Sequence, residues 1–360
     1  MAADQTPILP GRLGDPNMQL RDDPRADPRM IAAMAPFALD VALPPPPVSS
    51  ASPVEEIHEH CVATEEGFGA LFEAFFVDLP DLDVTSTTHI AKGVDGNDIS
   101  LYVHKPNNVD GPMPAIVHTH GGGMVIAAAA DTNYQRWRDE LAATGMIVIG
   151  VEFRNGSGKL GNHPFPAGLN DCASGLQWVI DNKAELGISS IIISGESGGG
   201  NLALATALKA KQDGNIDQIA GVYAQCPYIS NHYESGHPEL ASLVENDGYF
   251  LSGQMMGPLA AIYDPSGENA TNPLAWPYHA AVDDLRGLPP HVISVNQLDP
   301  LRDEGLAYYQ KLLAAGVSAA SRTVNGTCHA GDCLFRIAMP EVYASTIADI
   351  RSFAASVDNT

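Results

Sequence analysis

Residues 191–210 read IIISGESGGGNLALATALKA. A β-branched apolar run ends at Ser194, one serine then stands among Gly195, Gly198, Gly199 and Gly200, and an alanine- and leucine-rich tract follows. This composition predicts a buried strand, a tight turn and a helix from about Gly198. Gly195-Glu196-Ser197-Gly198-Gly199 fits G-x-S-x-G, where the serine occupies a strained strand-to-helix turn and side chains two positions either side would collide. The helix also turns free N–H groups and its positive dipole end towards the serine oxygen. A glycine-rich turn without chemistry has the same local form. Ser197 is therefore a candidate nucleophile only if a base, an orienting acid and oxyanion donors accompany it.

Each partner has a candidate elsewhere in the chain. HTHGGGM (118–124) sets Gly121, Gly122 and Gly123 directly after the apolar run AIVHT, in the H-G-G-G form of an oxyanion loop whose bare backbone can approach a developing charge. In HVISVNQLDPLRDEG (291–305) a strand ends near Gln297 and Asp299 follows in the loop beyond its carboxyl end, where α/β folds gather functional residues. Asp303 reads instead as the first turn of the next helix, where a carboxylate is favoured by the dipole. TVNGTCHAGDC (323–333) places His329 after the following strand and completes the chain order Ser, Asp, His. Of the twelve histidines, His58 and His60 in EIHEHC form a metal-like fragment read as a solvated helix face. His118 and His120 flank a strand end, where supporting a neighbour suits them better than metal ligation.

Outside these motifs the chain reads as a strand-helix alternation. Apolar runs at PAIVHTH, MIVIGVEF, SSIIIS, IAGVYAQCP, HVISVNQ and SAASRTV alternate with helical tracts near 131–144, 166–186, from 198, 303–315 and 340–356. That predicts an α/β fold: a mostly parallel central sheet with helices on both faces. Two β-rich runs around Asp95-Gly96-Asn97 predict a hairpin, and EEGFGALFEAFF a helix before it. Residues 1 to about 55 are proline-rich and read as an extended arm or linker. Residues 228–285 hold Pro238, Pro258, Pro265, Pro273 and Pro277, with Pro227 just before them, among helical fragments and read as an insertion where a lid would sit.

Composition excludes several classes of function. With 43 acidic against 19 basic residues, the net charge of -24 repels phosphate backbones and anionic membranes, so neither nucleic acid nor membrane is an expected partner. The acidic surface fits either a saline habitat or ordinary solubility. Five scattered cysteines without a CxxC give no disulfide framework or structural zinc site, and with no leader-like N-terminus a cytoplasmic location is expected. GSGKLG (156–161) is formally G-x-G-x-x-G. Pro164 and Pro166 prevent the helix that a dinucleotide would need, so no cofactor is expected.

HGGGM, FRN (153–155) with HPFPAGLNDC (163–172), GESGGG, and DPLRDEG followed by CHAGD together resemble the hormone-sensitive lipase family of α/β-hydrolase esterases, bacterial family IV. Their form is similar to its brefeldin A esterase-like branch. The resemblance covers roughly residues 80–355 and implies a serine carboxylesterase working on a small-molecule ester, without metal or cofactor, through an acyl-enzyme. It implies Ser197 as nucleophile, Asp299 as acid, His329 as base, and an oxyanion hole from the N–H groups of Gly122, Gly123 and Gly198. Short- to medium-chain esters are the expected substrates, and a homodimer is left open. It further implies an N-terminal arm and part of a helical cap over 1–80, a catalytic domain over 81–227 and 286–360, and a cap insertion over 228–285. Most relatives carry G-D-S-A-G and H-G-F, whereas this chain has Glu196 with Gly198, and Ala330-Gly331 after the histidine. The alternative is a noncatalytic small-molecule-binding protein on the same fold, which commonly lacks the nucleophile or base.

Overall fold

β-Branched runs buried on both sides assemble into a single sheet. The computed structural model, described over residues 9–358, contains β1 (Val84–Lys92), β2 (Asp98–Pro106), β3 (Met113–Thr119), β4 (Ile147–Val151), β5 (Ile188–Glu196), β6 (Gly221–Gln225), β7 (His291–Asn296) and β8 (Ala319–Val324). Their spatial order is β1-β2-β4-β3-β5-β6-β7-β8. β1 and β2 form the expected hairpin, pairing Lys92 with Asp98 across a turn in which Gly96 takes φ 79°. β2 also runs antiparallel to β4, and the remaining pairs are parallel. The central strands β4 to β7 are almost wholly buried, as parallel strands covered on both faces must be. Each fully buried Ile, Val or Leu there contributes about 1.5–3 kcal/mol.

The main helices are α1 (Pro28–Met34), α2 (Val54–Phe75), α3 (Thr132–Ala142), α4 (Ala167–Asp181), α5 (Gly198–Asp213), α6 (Gly253–Tyr263), α7 (Arg302–Ala314) and α8 (Pro340–Asp358). α4 packs on α5, and α8 on α3, so helices sandwich the sheet. Among the described residues no helix is long and apolar enough to cross a membrane. MAADQTPI, part of the stretch from which the absence of a leader was read, lies outside the described residues.

The proline-rich N-terminal segment differs from the extended arm read in sequence. Asp27 caps α1 by accepting from Arg29 N, Pro28 fits its first turn, and Leu20, Met30 and Met34 are fully buried. Proline content misled because Pro is favoured at a helix start as well as in extended chain. The segment also has partners: Leu43 N donates to Gly248 O at 3.0 Å, and Asp27 N to Gly326 O at 2.9 Å. Between β6 and β7 the residues around 228–285 fold into α6 and shorter turns, and Pro258 lies inside α6.

Candidate active site

Strand β5 delivers Ser197 to the turn before α5. Its backbone is forced to φ 58°, ψ -120°, a region a non-glycine residue rarely occupies. The turn is held by Ser197 N donating to Gln225 O at 2.9 Å and Tyr228 N donating to Ser197 O at 3.1 Å. The flanking glycines are explained by close approach: a Cβ on Gly195 would strike Gly199 O and Thr119 Oγ1, and one on Gly199 would strike Thr119 O.

Asp299, in the loop after β7, is fully buried. One carboxylate oxygen accepts from Leu301 N at 2.9 Å, and the other lies 2.8 Å from His329 Nδ1. His329 sits between β8 and a short helix, next to Ala330 in the left-handed region. The two loops are cross-linked: Asn296 Nδ2 donates to Thr327 Oγ1 at 2.8 Å and to Asp332 Oδ1 at 2.9 Å, and Leu298 N to Thr327 O at 3.0 Å. Asp303 faces elsewhere, accepting from Ser242 N at 2.7 Å and pairing with Arg302 at 2.8 Å.

Ser197, His329, Gly122 and Gly123 line one cavity of about 110 Å³, with Phe68 and Phe72 of α2, Tyr134, Tyr228, Phe250 and Leu259. Gly122 and Gly123 take φ 99° and 64°, and Gly198 packs so closely that an added Cβ would lie 2.6 Å from Gly123 N. The Gly121 amide is engaged by Glu196 Oε1 at 3.1 Å, and Glu196 Oε2 lies 3.0 Å from His118 Nε2. His118 thus braces the carboxylate beneath the glycine loop. His120 stacks on Phe153 at 4.1 Å, and burial lowers its pKa to about 3, so it stays neutral. His58 bonds Ser157 Oγ at 2.8 Å, and His60 lies 3.4 Å from Thr64 Oγ1.

Two carboxylates with local roles escaped the sequence reading. Glu196 passed as the variable residue of its motif. Glu65 lies on the inward stripe of α2 with the buried Ile57, Cys61 and Phe75 and the half-buried Phe68 and Phe72, and accepts from Ala127 N and Lys159 N, each at 2.8 Å. A charged residue within an apolar helical stripe was the available signal. Through the Lys159 amide Glu65 also holds the GSGKLG loop.

A serine on a strand-to-helix turn at the carboxyl edge of a mostly parallel sheet, facing a glycine loop and a carboxylate-bound histidine, defines an α/β-hydrolase-fold ester hydrolase. The sequence profile of a family described as alpha/beta hydrolase fold matches residues 116–331, and the chain belongs to that family. It is similar in structure to brefeldin A esterase, described as a bacterial homologue of human hormone-sensitive lipase: 46% identity, TM-score 0.96, covering 98% of this chain and 99% of that one. It is also similar to esterase Est22, with 37% identity, TM-score 0.84, and coverage of 94% and 99%. Carboxylesterase NlhH of Mycobacterium tuberculosis is 34% identical over 246 residues, which is 67% of this chain and 72% of the relative. The chain is a carboxylic ester hydrolase.

Proposed function

We propose that the chain hydrolyses short- to medium-chain carboxylic esters, with Ser197 as nucleophile, His329 as general base, Asp299 as the acid that orients it, and the N–H groups of Gly122, Gly123 and Gly198 as the oxyanion hole. The observation that carries this reading is the 2.8 Å contact from Asp299 to His329 Nδ1 at the wall of the cavity that Ser197 also lines. With Nδ1 occupied by the carboxylate, Nε2 is the nitrogen left to accept the serine proton. Ser197 Oγ attacks the ester carbonyl, the glycine amides receive the negative oxygen, and His329 passes the proton to the departing alcohol. Water then repeats the sequence on the acyl-enzyme. α2 and residues 228–285 act as a cap: Phe68, Phe72, Phe250 and Leu259 give an apolar wall to the acyl group.

A cavity of about 110 Å³ with an apolar wall suits short to medium acyl chains. Hydrolysis of p-nitrophenyl esters of graded acyl length should peak at short to medium chains and fall for long ones. A rate that climbs steadily to long chains would overturn the substrate assignment.

A further inference from the structure

Cys226 follows the carboxyl end of β6 with φ 34°, outside the regions that side chains favour, and its amide donates to Ser294 O at 2.7 Å. Its sulfur, a carboxylate oxygen of Asp299 and a ring nitrogen of His329 all lie within 4.8 Å of one another, and all three residues are buried. Asp332 and Glu196 add negative charge nearby. Thiolate, imidazole and carboxylate are the ligand types of zinc and its softer relatives. Bonds of 2.0–2.3 Å place tetrahedral ligands roughly 3.3–3.8 Å apart, so the cluster closes on an ion with shifts of about 1 Å. Calcium and magnesium want six or more oxygens, and this cluster offers one carboxylate.

We propose that Cys226, Asp299 and His329 form a site for a soft or borderline divalent cation, Zn²⁺ or Cd²⁺, and that filling it switches the esterase off. The inhibitory consequence rests on the assignment of His329 as base and Asp299 as its partner. As the metal–sulfur bond forms, the S–H bond breaks and its proton leaves to solvent; no electron is transferred. Of the three, His329 lines the substrate cavity while Cys226 and Asp299 lie buried behind it, so an ion would enter past the imidazole. Whichever ring nitrogen binds, catalysis stops: at Nδ1 the metal displaces the bond to Asp299, and at Nε2 it takes the lone pair that receives the serine proton.

Titration with CdCl₂ tests the site, with turnover of p-nitrophenyl butyrate and the ultraviolet thiolate-to-cadmium absorption as readouts. Cys226→Ala and Cys226→Ser should keep near-native turnover without metal. The cadmium concentration for half-inhibition should rise at least about tenfold in both variants, since even a residue behind a ligand is worth that much in affinity. EDTA should restore the wild-type rate, and the absorption band should be absent from both variants. Equal inhibition of wild type and variants, or a wild type indifferent to cadmium, overturns the proposal. If the alanine variant fails to fold, the near-isosteric serine variant carries the comparison. The absorption band is read without ester, so an error in the catalytic assignment would show in turnover alone.

Discussion

Asp299 and Asp303 lie four positions apart and have separate tasks: Asp299 holds His329, while Asp303 caps the Ser242 amide and pairs with Arg302. Asp299→Asn should lower turnover on the order of ten-thousandfold by losing imidazolium stabilisation and the correct tautomer. Asp303→Asn should leave turnover within a few-fold in the same assay, and the opposite ranking would reassign the acid. The sequence distinguished these two because a strand end precedes one and a helix begins at the other. Glu196 and Glu304 were not legible as functional or strained groups, since their partners, Gly121 N and His118 for one and Ile229 N for the other, come from distant segments. Glu304 accepts from Ile229 N at 2.7 Å, its second oxygen is buried without a partner, and burial raises its pKa from 4.5 to about 8. Between those values the folded state holds a proton that the unfolded chain has released, so this group's contribution to stability is lost as pH rises through that window. Glu304→Gln should therefore gain stability relative to wild type progressively from pH 5 to 8 in denaturant titrations. A constant difference across that range would contradict the burial argument.

At the scale of elements, the N-terminal segment and α2 act on different parts of the site. Cys328 N donates to Met30 Sδ at 3.3 Å and Asp27 N to Gly326 O, so α1 and its cap brace the loop that carries His329. Arg25 pairs with Asp23 and Glu245, Glu245 pairs with Arg302 at 2.7 Å, and Asn246 Nδ2 donates to Asp299 O at 3.0 Å. Phe68 and Phe72 of α2 line the cavity itself. Met30→Ala should cost about 2–5 kcal/mol of stability through the cavity it leaves. It should also slow labelling of Ser197 by a small fluorophosphonate, because the histidine loop loses its support. Phe72→Ala should instead shift acyl-length preference while labelling stays near the wild-type rate, and a reversal of these two patterns would show that the roles are exchanged. The helix at EEGFGALFEAFF was expected from sequence, but the docking of α1 was not, because long-range docking of a short helix leaves no periodic signal of its own.

Across the whole molecule, the order of motifs along the chain carried more information than any single motif. Ser197, Asp299 and His329 each follow a strand, and parallel β5, β7 and β8 bring those strand ends to one edge of the sheet. The fold class and the candidate triad could be read for that reason: strand-helix alternation fixes where carboxyl ends collect. The shape of the cavity could not, since its walls come from α2, α6 and loops whose meeting depends on tertiary packing. The bracing of the histidine loop by residues near 27–30 is equally non-local. The central claim, that the serine at this edge is the nucleophile, is tested most directly by Ser197→Ala in a protein shown by circular dichroism and thermal unfolding to be folded. Turnover of p-nitrophenyl butyrate should fall by at least about a thousandfold with stability little changed, as for nucleophile removal in triads. Near-native turnover in that folded variant would contradict the assignment of Ser197.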